Sequence, residues 1–453
     1  MAIVATILPG TILPGKEAMN RREFLGLMGA AGLAAEVTPA DYTLRIQNIT
    51  LELVKGKPFK TVGYNGSAPG PLLRLKEDRP VTIDVVNESN SPEIVHWHGL
   101  RIPPEVDGAM EEGTPLIPPK TSRRITFTPT PSGTRWYHTH TMAMRDLKKA
   151  LYTGQFGFLY IEPKSEPGAY DQEIFVALKE WDPFITTGGD DMGSMDAGYR
   201  YFAIHAGVDR VRVKQGQRVM LRILNASATV HRRIAFAGHQ FRVVAMDGNA
   251  VSNPQEVEAL ELGPAERIDA VVEMNEPGVW VLGTTVDKER EAGMQLVFEY
   301  AGQNGAPQWV APAETPWDYT VFGGVAQRVA TDNRITLVIE KKFAGHNWVD
   351  KWAINGKSYP KTDPIRVKAG ERYWIEFDNR SDEAHPLHLH RHTFELMRIS
   401  GRDTSGVRKD VVVAPAKQRT IVELVANNPG KTLFHCHQQM HMDYGFMCLM
   451  EYL

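Results

Sequence analysis

Apolar and polar residues alternate in short runs along most of this chain, and one such run is written three times. Leu73-Arg74-Leu75-Lys76 leads into Val81 to Val86 and then Asn87-Glu88-Ser89. Val211-Arg212-Val213-Lys214 leads into Val219 to Leu224 and then Asn225-Ala226-Ser227. Ile365-Arg366-Val367-Lys368 leads into Tyr373 to Asp378 and then Asn379-Arg380-Ser381. A period of two sends neighbouring side chains to opposite faces, as in a strand with one buried side. Each copy therefore reads as a hairpin, two strands joined by a turn at Asp78, Gly216 or Gly370. From Asn87 to Asn225 is 138 residues and from Asn225 to Asn379 is 154, so one β-domain recurs in tandem. Helical periods are few. The expected architecture is all-β: three tandem antiparallel, Greek-key sandwich or barrel domains over residues 37–165, 166–305 and 306–453.

Counting from the repeated Asn locates the chemistry. Nine and eleven residues after Asn87 stand His96 and His98, and the same steps after Asn379 reach His388 and His390. After Asn225 they reach only Ile234 and Phe236. A second landmark behaves alike: Gly133 leads to His138-Thr139-His140, Gly430 to His435-Cys436-His437, and Gly278 to Gly283-Thr284-Thr285. The first and third copies carry equivalent His pairs, whereas the middle copy keeps only His231, the match of His385. Five His-x-His pairs occur, counting His390-Arg391-His392, where 15 His in 453 residues predict about 0.5 by chance. Pseudo-equivalent pairs meet most easily across an interface, so the third domain should fold back onto the first, with the middle one as spacer and wall.

On a strand, His435 and His437 point one way and Cys436 the other, so one strand can serve two metal centres. Two imidazoles with one thiolate suit an electron-transfer copper. Zinc is the competing metal, but a four-ligand zinc site would leave most of these histidines unused.

Length suits about three domains of roughly 150 residues, and 42% hydrophobic residues suffice for ordinary cores. A net charge of -3 gives no nucleic-acid footprint. With Cys436 as a metal ligand, Cys448 has no disulfide partner. Asn20-Arg21-Arg22-Glu23-Phe24-Leu25 ahead of the short apolar run Leu25 to Leu33 resembles a twin-arginine export signal, with Met19 a possible true start. That run is too short for a permanent membrane anchor. Residues 1–36 are therefore expected to be a leader, and the protein a periplasmic or otherwise extracytoplasmic monomer.

His-Trp-His-Gly-Leu (96–100), Trp-Tyr-His-Thr-His (136–140), His-Pro-Leu-His-Leu-His (385–390) and His-Cys-His-x3-His (435–441) together resemble the four copper motifs of three-domain multicopper oxidases of the laccase group, cupredoxin-like proteins. The resemblance covers about residues 41–453. It implies four coppers: type 1 on His385, Cys436 and His441; type 2 on His96 and His388; one type 3 on His98, His138 and His437, the other on His140, His390 and His435. It also implies one-electron oxidation of a reductant at type 1, with the edge of His441 facing it, and reduction of O2 to water at the other three. Asp107 matches an acidic residue that the family places near that cluster for proton supply, although a turn Asp before Gly108 fits the spacing too.

Three positions depart from, or leave open, the family pattern. Met442 stands where many bacterial relatives have a proton-donating Glu, with Asp443 next; Arg391 stands where Gly is frequent. The type 1 axial position falls on Phe446, which cannot ligate, with Met447 as its rival one register away. The expected reductants are phenols and aromatic amines. The alternatives are Cu(I), Mn(II) or Fe(II), for which Met192 and Met195 in an acidic loop offer soft and hard donors, and a copper-free envelope scaffold, against which all ten ligand histidines are present.

Overall fold

The computed structural model describes residues 38–165, 170–187, 195–324, 331–342 and 351–453. The expected leader and Met192 lie outside the described residues; Met195 opens the strand Met195–His205. From Ala40 onward the chain forms one compact unit, built from three pairs of β-sheets.

In the first pair, a sheet ordered Lys57–Tyr64, Tyr42–Val54, Val81–Asn87, Thr121–Phe127 faces one ordered Leu73–Lys76, Phe156–Glu162, Gly133–Thr139, Val95–His98. The second and third pairs each have a six-stranded and a five-stranded sheet, with the same strand order relative to the chain in both. Arg218–Asn225 occupies in the second the place that Arg372–Asn379 occupies in the third. Val279–Thr284 likewise matches Thr432–Cys436. The all-β class expected from the alternating pattern, and the cupredoxin-like architecture that the resemblance implies, are the ones observed.

The repeated unit is not a hairpin. Its two strands enter different sheets: Val81–Asn87 pairs antiparallel with Thr121–Phe127, whereas Leu73–Lys76 runs parallel to Phe156–Glu162. The other copies do the same, with Val211 beside Phe298 and Ile365 beside Met450 in parallel. Alternation states that one face is buried but not which neighbour the backbone bonds. Here the turn carries the chain from one layer of the sandwich to the other, and the sheets are not antiparallel throughout as expected but mix parallel with antiparallel pairs.

The repeated Asn has a common task. Each sits buried at a strand end, its amide donating to loop carbonyls and its oxygen accepting from the backbone of the Ser two residues on. Asn87 donates to Ser91 and Ile117 (2.8 and 2.9 Å), Asn225 to Val230 and Leu262 (both 2.9 Å), and Asn379 to Glu383, Pro415 and Ala414 (2.8, 3.0 and 3.2 Å). The amide satisfies carbonyls that would otherwise be buried unpaired. It fixes where the following strand begins, hence where His96 and His388 lie.

One apolar core fills the first sandwich, centred on Leu44, Ile83, Trp97 and Leu159. Another runs through the second and third, from Ile174 to Met450. A third, with Trp136, Leu147, Trp181, Val411 and Met440, contains residues of all three repeats. The third repeat does pack on the first, and the middle one contacts both. Among the described residues no helix is long and apolar enough to cross a membrane.

Candidate metal centre

Where the first and third repeats meet, strand pairing aligns the histidines. His96 is opposite His138 between Val95–His98 and Gly133–Thr139, and His388 is opposite His435 between His385–Leu389 and Thr432–Cys436. All eight histidines of the two repeats' pairs are buried. Most of their rings are turned by hydrogen bonds at the outer nitrogen. His96 Nδ1 donates to the carbonyl of Asp107 (2.9 Å), His388 Nδ1 to that of Asp410 (2.7 Å), His138 Nδ1 to Thr139 (2.8 Å) and His435 Nδ1 to Cys436 (2.9 Å). His390 Nδ1 donates to Asp107 Oδ2 (2.9 Å), and His98 Nε2 to Asp410 Oδ1 (3.0 Å).

Each such bond commits the ring's proton outward and leaves a bare lone pair inward. Inside, His390 Nε2 and His435 Nε2 are 3.0 Å apart, His140 Nε2 and His435 Nε2 3.4 Å, and His98 Nδ1 and His138 Nε2 3.4 Å. Lone pairs facing at these distances have no proton to share. His96 Nε2, His388 Nε2 and both nitrogens of His437 have no hydrogen-bond partner at all. Burial, then neighbouring imidazoles or, for His388, also Asp410, set the basicity of these rings: His140 and His388 fall to about 3, and His98, His138, His390, His435 and His437 lie well below the ordinary value. Neutral imidazoles converging without protons suit metal cations; His96–His98–His138, His96–His388–His390 and His140–His390–His435 each bring their donor atoms within 4.8 Å of one another.

On the other face of the same strand lies a second cluster. Cys436 Sγ is 3.5 Å from His441 Nδ1 and 3.8 Å from His385 Nδ1, and the two Nδ1 atoms are 3.2 Å apart. His385 Nε2 donates to Ser381 Oγ (2.7 Å), which frees Nδ1 for the cluster. Ser381 belongs to the repeated Asn turn, so the repeat itself orients this ligand. Burial pushes the Cys436 thiol well up; metal binding must therefore displace its proton. His441 is carried by the short helix Gln439–Asp443. The Phe446 ring lies 5.1 Å from that of His385, while Met447 is paired with His435 and packs with Leu433 and Met442.

The carboxylates divide in two. Asp107 is fully buried at the end of the helix Pro104–Asp107, and its Oδ1 has no partner. Asp443 faces elsewhere: Oδ2 accepts from the amides of Ala143 (3.0 Å) and Met144 (2.6 Å) and Oδ1 from Gln439 (2.8 Å), bracing the loop after His140, with burial raising it to about 7. Met442 lies in apolar packing. His392 bonds to Tyr452 and the His390 carbonyl, outside the clusters.

Four participants were not foreseen from the sequence. Glu112 accepts from the Leu433 amide (2.6 Å) and lies 3.4 Å from His390 Nδ1. Asp410 joins His98 to Arg267 (2.7 Å) and Arg135 (3.2 Å). Glu383 Oε2 is 3.3 Å from His441 Nε2, and the Trp352 ring is 4.2 Å from that of His441. The only available cue was acidic residues beside motif or apolar segments: Glu383 two before His385, Asp410 just before Val411-Val412-Val413.

A thiolate with two imidazoles, joined through one strand to a nest of eight more, defines a copper-binding redox protein. Family models described as multicopper oxidase match residues 332–452, 45–166 and 136–301. The multicopper oxidase MmcO of Mycobacterium tuberculosis is 31% identical, covering 94% of this chain and 92% of that protein. The multicopper oxidase mco of Staphylococcus aureus is 27% identical over 90% of this chain and 87% of its own. The crystal structure of a multi-copper oxidase from Pseudomonas thermotolerans superimposes with a TM-score of 0.72 at 26% identity, over 92% of this chain and all of that one. The chain belongs to the multicopper oxidase family, in its laccase-like group: it is a copper-dependent oxidoreductase that passes electrons from a reducing substrate to O2.

Proposed function

We propose that the protein is a laccase-type oxidase of phenols and aromatic amines, exported by its Asn20-Arg21-Arg22 leader to an extracytoplasmic compartment and working as a monomer of three repeats, residues 37–165, 166–305 and 306–453. When bound, four coppers, one of type 1, one of type 2 and a type 3 pair, would supply one-electron oxidation of the reductant and four-electron reduction of O2 to water. The supporting observation is Cys436, whose neighbours His435 and His437 belong to the nest while its own Sγ faces His385 and His441.

The assignment of residues follows the order of the four motifs, and it is supported by the His385–Cys436–His441 and His140–His390–His435 sets, whose donor atoms converge. His385, Cys436 and His441 would hold the type 1 copper, with the Phe446 ring beside them, 5.1 Å from that of His385. His96 and His388 hold type 2; His98, His138 and His437 hold one type 3 copper, and His140, His390 and His435 the other. Asp107 orients His390 through Oδ2 and can hold a proton at Oδ1, which has no other partner. His441 turns Nδ1 to Cys436 and Nε2 to the half-exposed Glu383 carboxylate (3.3 Å), and the tilted Trp352 ring lies 4.2 Å from its own. Lys341 Nζ also donates to Glu383 Oε1 (3.1 Å), and despite its burial the hydrogen bonds from His441 and Lys341 hold this carboxyl below the usual range. An ionised carboxylate at that edge can accept the proton a phenol loses with its electron.

Phe446→Met tests the axial assignment. A thioether there stabilises Cu(II), so the type 1 potential should fall. Each fall of about 59 mV is tenfold in the one-electron equilibrium, a change that redox titration reads directly. An unchanged potential in redox titration would remove Phe446 from the site.

Glu383 also favours a second reading, a metallo-oxidase: a half-exposed carboxylate beside the electron port suits an arriving cation as well as a phenol. Oxygen uptake by the copper-loaded protein, with dimethoxyphenol and with Cu(I) under identical conditions, separates the two. Uptake with the phenol is expected. Uptake with Cu(I) alone would replace the first reading by the second, and uptake with neither would reject both.

A further inference from the structure

The His390 side of the histidine nest is closed by two side chains that belong to no copper motif. Arg391 is buried, with φ at +57°, a backbone region that L-residues seldom adopt. Its guanidinium has five N–H donors, and five oxygens meet them. Nε donates to the Ile102 carbonyl (2.8 Å); Nη1 to the Lys431 carbonyl (2.8 Å) and Thr432 Oγ1 (2.9 Å); Nη2 to the carbonyls of Pro429 (2.8 Å) and Asn428 (3.4 Å). Ile102 lies in the first repeat, between His98 and Asp107. Residues 428–432 feed directly into the strand carrying His435. Gly430 makes room: a Cβ there would stand 2.9 Å from Pro104 Cγ and 3.3 Å from Arg391 Nη1.

Glu112 makes the opposite crossing. It belongs to the first repeat, yet its Oε1 accepts the backbone N–H of Leu433 (2.6 Å) in the third. Leu433 in turn accepts the backbone N–H of His390 (2.9 Å). His390 and His435 are thus gripped from both directions, by an arginine of the third repeat reaching into the first and a carboxylate of the first reaching into the third.

We propose that Arg391 and Glu112 form a reciprocal clasp and are positioning residues for the His140–His390–His435 metal site. This rests on the reading of those three histidines as the ligands of a type 3 copper. A purely structural arginine would serve equally well anywhere on the interface. This one stands between His390 and His392, in a backbone geometry natural to glycine, and none of its five donors reaches a carboxylate.

Arg391→Gly, Glu112→Ala and Glu112→Gln test the clasp. Glycine relieves the positive φ, so any loss reports the side chain. Partners behind metal ligands typically change affinity about 10–100-fold. Arg391→Gly and Glu112→Ala should lower copper affinity of the nest by about that factor in competition with a chelator, and lose the near-ultraviolet band of a coupled copper pair. The visible thiolate band, which arises within the third repeat, should persist. Glu112→Gln keeps an oxygen for the Leu433 N–H and should restore most of the affinity. Parent affinity in Arg391→Gly, whatever its melting temperature, would overturn the clasp, as would equal behaviour of Glu112→Ala and Glu112→Gln. His390→Ala and His435→Ala are the control. If they strip the pair band while Arg391→Gly leaves it intact, the clasp alone fails; if they too leave copper binding unchanged, the ligand reading itself fails.

Discussion

Cys436→Ser will bleach the visible absorption and stop oxidation of the reductant, while the histidine nest still takes up copper. The thiolate is the soft donor of its cluster: Sγ stands 3.5 and 3.8 Å from the two imidazole nitrogens, and the rings of Trp352 and Phe446 lie beside those imidazoles. A serine hydroxyl is a poor substitute for copper. Loss of a direct ligand should exceed the roughly 10–100-fold typical of outer partners. The strand itself should be kept, because Cys436 contributes its backbone to it: its N–H donates to the Phe446 carbonyl (3.2 Å) and its C=O accepts from His435 Nδ1 (2.9 Å). Copper analysis with absorption spectra checks the result. A blue, active serine variant would remove Cys436 from the electron path.

Asp410→Ala should be the most damaging substitution for the fold itself. Asp410 is fully buried and meets a side chain from each of the other two repeats: Arg267 through both oxygens (2.7 Å each) and Arg135 through Oδ2 (3.2 Å). Asp247, also buried, adds Oδ2 to the backbone amides of Asp410 (3.3 Å) and Val411 (3.1 Å). The alanine variant would leave two buried guanidinium groups short of their anion, and removing one partner of a buried ion pair costs about 3–5 kcal/mol. It would also free His98 Nε2, which donates to Oδ1. Denaturant unfolding should show the loss in the apoprotein, and the copper-loaded form should be depleted at the nest. A change below about 1 kcal/mol, the scale of an ordinary hydrogen bond, would mean that other contacts hold this junction.

The clusters were readable because they depend on local spacing. Alternation along one strand separates Cys436 from His435 and His437, and counting from Asn87 and Asn379 finds equivalent pairs whatever the partners of those strands. The hairpin expectation failed for the complementary reason: Leu73-Arg74-Leu75-Lys76 shows that one face is buried but carries no record that Leu73 bonds beside Leu159. Glu112, Asp410 and Glu383 were illegible for the same reason. A lone carboxylate acquires meaning only from a ring or guanidinium brought to it by the fold, in the case of Asp410 and His98 from 312 residues away. The middle repeat, read as spacer and wall, gains a chemical task from Arg267, whose two bonds steady the residue that orients His98 and His388.

The shared strand has a mechanical consequence. Spacing between Cys436 and its two flanking histidines is set by covalent bonds and cannot vary as the repeats breathe. His385 and His441 belong to the same repeat and travel with it. The partners contributed by His96, His98, His138 and His140 are held only by contacts across an interface. On the proposed assignment of the coppers, a molecule that begins to open on warming should therefore lose its grip on oxygen before it loses its colour: it could still be charged with an electron, and would have nowhere to send it.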